Sequence, residues 1–295
     1  MNHPYILLQP LLWSLGFAFG SILLKRALDH GAGPLRIAFL NNMAAGLLFL
    51  PGLLTLPQPV TWDAMRWPLL SSLVYAAGQV LFFIAMRTGD VTVIAPALGS
   101  KVVFVAVFTV MLGAGIMPGT WWVAAFLAAA AIFLLGMSNW HDRKRLARTA
   151  VLAVSAAALY SLNDVLVQMH APQIGAPAYS AVVFAGVALE SFLLLPFFRQ
   201  PLRTIPRAAW AWTFWGCVIC GAQAGGMAYT LGHYGGATAI NVVYSTRGLW
   251  SILMVWTAGS WFGNDEQKAG TSVMVRRLAG AVLLLGAVGL VLAGK

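Results

Sequence analysis

Apolar residues run along this chain in blocks of about twenty, and short breaks that are polar or rich in Gly and Pro separate the blocks. About 20 helical residues cross a hydrocarbon core of about 30 Å, so blocks of this length predict membrane spans. Ten are predicted, over residues 5–27, 35–56, 67–87, 91–112, 119–139, 149–169, 177–198, 208–232, 236–258 and 273–294. The breaks carry turn chemistry, as in Gly31-Ala-Gly-Pro34, Pro57-Gln-Pro59, Met117-Pro-Gly119 and Gly263-Asn-Asp-Glu-Gln267. They are too short to hold a soluble domain. The longest central break, Asn139 to Arg148, divides the chain into residues 1–140 and 149–295, each with five spans. Five is odd, so the second half crosses the membrane in the opposite sense to the first. The predicted fold is therefore an all-α integral membrane protein of ten transmembrane helices in two inverted five-helix repeats, a construction of transporters whose sites lie near the midplane.

Composition narrows the class. A content of 60% hydrophobic and 9% charged residues excludes an ordinary soluble domain. The net charge of +10 would fit a nucleic-acid binder if the cations shared an exposed face, but they fall in the short connections, so no nucleic-acid partner is expected. Lys and Arg concentrate in the odd-numbered connections, among them Lys25, Arg26, Arg36, Arg143, Lys144, Arg145, Arg203 and Arg207. The positive-inside rule then places those connections in the cytoplasm and both termini outside it. The first apolar block follows no basic n-region and is read as a span, not a signal peptide. Cys217 and Cys220 stand in an apolar run with no second ligand pair, which makes them packing residues; no metal or cofactor is expected.

Four ionisable residues fall well inside the predicted spans: Lys101, Asp164, Glu190 and Arg247. A charge at the centre of a membrane helix costs roughly 2.5–3.5 kcal/mol on insertion scales, so such residues face a protein interior or a wet cavity. Lys101 and Arg247 stand on spans four and nine at an offset of 146, and Gly89/Gly235, Thr92/Thr238 and Ile94/Ile240 are identical at the same offset. Helical steps from Arg247 reach Tyr244 and Trp250, a face that mixes aromatic and polar surface. On span six, Tyr160, Asn163 and Asp164 share one side. Pro96 frees a carbonyl one turn earlier and predicts a kink in span four. Trp13, Asn42, Gln79 and Asn241 complete the candidate lining, although the amides serve equally well as interhelical hydrogen bonds of about 0.6 kcal/mol each. Gly16/Gly20 and Gly221/Gly225 have the spacing of close helix packing.

Ten spans in two halves, the aromatic-Ser pairs Trp13-Ser14 and Tyr160-Ser161, the end of span three at Ala85-Met-Arg-Thr-Gly-Asp90 and the Pro96 entry to span four resemble the drug/metabolite transporter superfamily in its EamA-type exporters. The resemblance implies a central cavity, carriage of small metabolites and a multi-pass protein of the bacterial inner membrane. It also implies cytoplasmic termini, the reverse of the charge count, and the chain departs from the family after span four, where it reads Gly113-Ala-Gly-Ile-Met-Pro118. Organic-phosphate carriers of the superfamily hold an anionic group with cations on spans four and nine, which is what Lys101 and Arg247 would do here.

The expectation is a secondary transporter, an exporter of a small amphipathic anionic or zwitterionic metabolite, working by alternating access. Its partners are the substrate and the lipid bilayer, with a monomer expected and a dimer as the alternative. A rival reading makes the intramembrane charges structural ion pairs in an exporter of neutral or cationic amino acids or drugs. A membrane-embedded lipid-modifying enzyme is more remote, because the sequence has no cluster of His, Asp and Glu at one interface. No phosphate-binding loop suggests ATP hydrolysis.

Overall fold

A computed structural model describes residues 4–88, 97–136, 143–258 and 271–293. These residues form helices and turns, with no strand among them. The first half contributes α1 (Leu8–Asp29), α2 (Pro34–Phe49), α3 (Trp62–Thr88), α4 (Lys101–Met111) and α5 (Gly119–Gly136). The second contributes α6 (Arg143–Ile174), α7 (Ala176–Glu190), α8 (Arg207–Tyr234), α9 (Ala237–Tyr244), α10 (Arg247–Ala258) and α11 (Thr271–Ala293).

Apolar length is enough to cross a bilayer in Leu8–Asp29, Pro34–Thr55, Ala147–Ile174 and Ala176–Phe197, and Ala97–Met111, Gly119–Leu134 and Ala279–Ala293 are shorter apolar helices. Element bounds depart from the apolar blocks for identifiable reasons. The helix of predicted span six begins at Arg143, since Lys and Arg are good helix formers and the hydrogen-bond ladder continues past the end of the apolar run. The end of predicted span seven narrows to a 3-10 helix, Ser191–Phe197, which contains Pro196. Proline cannot donate to the carbonyl four residues back, so the α-helical ladder is interrupted there. A second 3-10 segment, Leu50–Thr55 with Pro51, follows α2.

The helices α2 and α7 also begin alike. Gly33 precedes Pro34 with φ +80° and ψ +135°, and Gly175 precedes Ala176 and Pro177 with φ +87° and ψ +139°. A side chain at such a φ would be strained, and proline supplies a pre-set first helical turn without wasting an amide donor.

Packing follows small residues. α1 lies on α8, α3 on α6, and α5 on α11, with α2 and α7 side by side. Gly20 of α1 approaches Cys220 of α8, where an added Cβ would fall 2.6 Å from its Sγ, and Gly221 approaches the Ala45 backbone of α2 at 3.0 Å. Of the glycines anticipated as close-packing surfaces, Gly20, Gly221 and Gly225 thus sit inside the bundle, while Gly16 lines an open groove. Buried Ala124, Ala128, Ala131 and Ala287 do the same for α5 and α11. The largest apolar core gathers Val105, Val165, Val183, Leu231, Ile240 and Tyr244 around the charged centre.

Candidate functional site

Both central cations stand beside interruptions in their helices. Ser100 forms a turn just before Lys101, with its amide donating to Ala97 O at 3.2 Å. Ser245 and Thr246 separate α9 from α10, and the amides of Thr246, Gly248 and Leu249 donate to carbonyls three residues back at 3.0, 3.2 and 2.9 Å. Three-residue hydrogen bonds tighten the helix locally, a feature that in the middle of a span often marks a hinge or a site. Arg247 is the first residue of α10, as Lys101 is of α4.

The two cations converge on one tyrosine. Lys101 Nζ lies 2.7 Å from Asp164 Oδ2 of α6 and 5.9 Å from the centroid of the Tyr244 ring. Arg247 Cζ lies 4.8 Å from the same centroid and 5.1 Å from that of Phe17 on α1. Cations within about 6 Å of a ring face are attracted by its quadrupole, an effect that grows as water is removed. Asn241 Nδ2 donates to Asp164 Oδ2 at 2.8 Å, so one carboxylate oxygen receives a cation and an amide. Tyr244 Oη donates to Gln223 Oε1 of α8 at 2.8 Å, which fixes the ring between the cations. The side chains of Lys101 and Asp164 are only 14% and 9% exposed, so the pair is shielded from solvent and lipid alike.

A second polar chain links α1 to its neighbours. Trp250 Nε1 donates to Ser14 Oγ at 3.0 Å, and Ser14 Oγ lies 2.9 Å from Thr246 Oγ1 at the break. Trp13 Nε1 donates to Thr230 Oγ1 at 3.0 Å. On the other side, Ser161 Oγ of α6 donates to the carbonyl of Lys101 at 2.8 Å.

Of the residues expected at the site, the structure brings together Lys101, Asp164, Asn241, Tyr244 and Arg247, with Trp250 one turn away. Tyr160 packs against Tyr75 of α3 at a centroid distance of 5.3 Å. Asn163 is 5% exposed, and its Oδ1 has no hydrogen-bond partner among the described residues. Asn42 and Gln79 close on each other through two amide hydrogen bonds of 2.8 and 2.9 Å between α2 and α3. Glu190 is bonded to Ser72 at the edge of α3 and α7, outside the cluster. Pro96 and the kink expected there lie outside the described residues. Phe17 was not singled out in the sequence, although it follows Ser14 by the same three residues by which Asp164 follows Ser161. The pairing of Asn42 and Gln79 makes Asn42→Ala an inexpensive change, expected to cost about 0.6–1.7 kcal/mol of unfolding free energy in micelles. Adding Gln79→Ala should then cost little more.

An apolar groove of about 450 Å³ opens between α1 and α8, lined by Leu15, Phe19, Ile219, Gln223 and Met254. Gln223 therefore joins the groove to Tyr244 and the cations.

A helical bundle with apolar spans and a shielded cation-aromatic centre defines a multi-pass integral membrane protein. Residues 4–137, a little under half of the chain, match the EamA-like transporter family, part of the drug/metabolite transporter superfamily, and this bears out the resemblance read from the sequence. A crystal structure of a protein superposes with a TM-score of 0.78 over 97% of this chain and 98% of that one, at 13% identity, a likeness of fold alone. No curated protein matches the sequence.

Proposed function

We propose that the protein is a secondary transporter of a small amphipathic metabolite bearing a carboxylate or phosphate, and that Lys101 and Arg247 bind this anionic group. The observation that carries the reading is the convergence of both cations on Tyr244 beside interrupted helices, 5.9 and 4.8 Å from one ring. Discontinuous helices at the middle of a bundle are a recurring way to build a transporter site. In this arrangement Asp164 holds Lys101 while the site is empty, and the substrate anion takes over that contact when it arrives. Aromatic surface from Phe17, Tyr244 and Trp250 suits the apolar body of the ligand.

Ten spans in two inverted repeats fit the packing. The α1–α8 contact would be related by the repeat to the α6–α3 contact, and α5–α11 and α2–α7 would each lie across the axis. Matching Gly dihedrals at the starts of α2 and α7, and 3-10 segments after both, support the same relation. So do the serines: Ser14 reaches span nine at Thr246, and Ser161 reaches span four at Lys101. Rocking of the halves about the midplane would expose the site alternately to the two sides.

Transport by the purified protein in liposomes tests the reading. A small organic anion should be carried, and Lys101→Ala and Arg247→Ala should each reduce the rate at least about tenfold, the loss of roughly 1.4 kcal/mol of binding or barrier energy. Full transport by both variants would refute the assignment. The ion pair between Lys101 and Asp164 favours a second reading, in which the charges are structural and the substrate is neutral or cationic.

A further inference from the structure

One carboxyl group in the bundle stands apart from the central cluster. Glu190 is the last residue of α7, half-buried at the seam with α3. Around it the apolar side chains Leu69 and Leu73 of α3, and Leu189 and Leu193 on either side of Glu190, are 38%, 58%, 71% and 73% exposed, the exposure of a lipid-facing surface. Gly186, one turn earlier, lets α3 come close: a Cβ there would fall 2.6 Å from Ser72 Oγ.

Ser72 Oγ lies 2.8 Å from Glu190 Oε1 and also 2.8 Å from the carbonyl oxygen of Leu69. A serine hydroxyl has one hydrogen to give. If the hydrogen goes to Leu69, the contact with Glu190 requires a proton on the carboxyl group, which then donates to Ser72. If it goes to Glu190, the carboxylate is its acceptor. Rotation about a single Cβ–Oγ bond exchanges the two states. Glu190 Oε2 is buried without a partner, and neither ion pair among the described residues includes Glu190. Leaving a charged oxygen buried and unbonded costs far more than leaving a neutral one.

The described charged and titratable groups on the elements packed against α7 are engaged elsewhere or exposed. Arg36 of α2 bonds Gly31, Pro201 and Thr204. On α3, Asp63 pairs with Arg66, and the Tyr75 ring packs on Tyr160 and Phe184. On α6, Asp164 holds Lys101, His170 stacks on Trp67, and Arg148 is exposed. On α8, Arg207 is exposed, Cys217 donates to Ile37, Cys220 lies against Gly20, and His233 packs with Tyr229 and Tyr234. Tyr179 of α7 itself is bonded to Ser71.

We propose that Glu190 is a proton-binding site facing the bilayer, switched by the Ser72 hydroxyl and separate from the substrate cluster. An apolar carbodiimide, dicyclohexylcarbodiimide, tests this on the full chain in liposomes without any substrate, so the result is independent of the transport reading. The acid proton passes to a carbodiimide nitrogen and the carboxylate oxygen adds to the central carbon; acyl transfer to nitrogen then fixes the adduct, and nothing leaves. Peptide mapping by mass spectrometry should find the adduct on Glu190, with a yield that falls about tenfold per pH unit above its midpoint. Glu190→Gln should abolish it. Ser72→Ala removes the donor to the charged form, and should move the fall in labelling to higher pH. Unmodified Glu190 at acidic pH, or equal labelling at acidic and alkaline pH, would overturn the proposal.

Discussion

Lys101→Met is expected to lower the unfolding free energy by about 3–5 kcal/mol, because it leaves the buried Asp164 carboxylate without its cation. Asp164→Leu should cost a similar amount for the converse reason. The double variant Lys101→Met with Asp164→Leu should regain most of that stability, since two apolar residues of similar volume remove both desolvation penalties together. Unfolding in mixed micelles measures the cycle, and transport in liposomes separates the two readings of the pair. Restored stability with transport still absent marks Lys101 as a group the substrate needs. Restored stability with restored transport marks the pair as a structural tie.

Gly52→Ala should be the most damaging of the small backbone changes. A Cβ at Gly52 would collide with the backbone carbonyl oxygen of Pro177, which cannot swing aside as a side-chain tip can. Overpacking of this kind costs about 1–3 kcal/mol, and here it would push α7 away from the 3-10 segment that follows α2. Gly225→Ala, which would meet the ring of Phe49, should cost less if the ring can turn. Gly286→Ala and Gly289→Ala meet nothing within 4 Å and serve as controls, expected to be neutral or slightly stabilising. Denaturation midpoints rank the four, and a Gly52→Ala midpoint equal to that of Gly286→Ala would show that the α2–α7 contact is looser than described.

The helical membrane fold was legible because burial in lipid writes itself into the chain as apolar runs of one length. The central charges were legible for the same reason, since each stands out against an apolar background. Their grouping was less so. Helical spacing put Tyr244 on the face of Arg247, but nothing in the local sequence indicates that Asn241 reaches Asp164 across two helices. The break at Ser245 and Thr246 contains neither Gly nor Pro and leaves no strong local signal. Phe17 is one aromatic among many on α1, and only its three-residue distance from Ser14 connects it with the site. Glu190 looked equivalent to Asp164 in sequence; the close approach of α3 at Gly186, a tertiary fact, gives it Ser72 as its partner instead.

Lys101 rests on a carboxylate, whereas Arg247 rests on two rings. The centre therefore has a chemical front and back. A ligand with a charged head and an apolar body meets a polar, exchangeable contact at Asp164 and Asn241, and an aromatic wall at Phe17 and Tyr244. Turning such a ligand end over end would set its apolar body against the carboxylate and carry its head away from the cations. Two cations in one centre thus need not give an orientation-blind site, and an analogue charged at both ends should compete poorly for it.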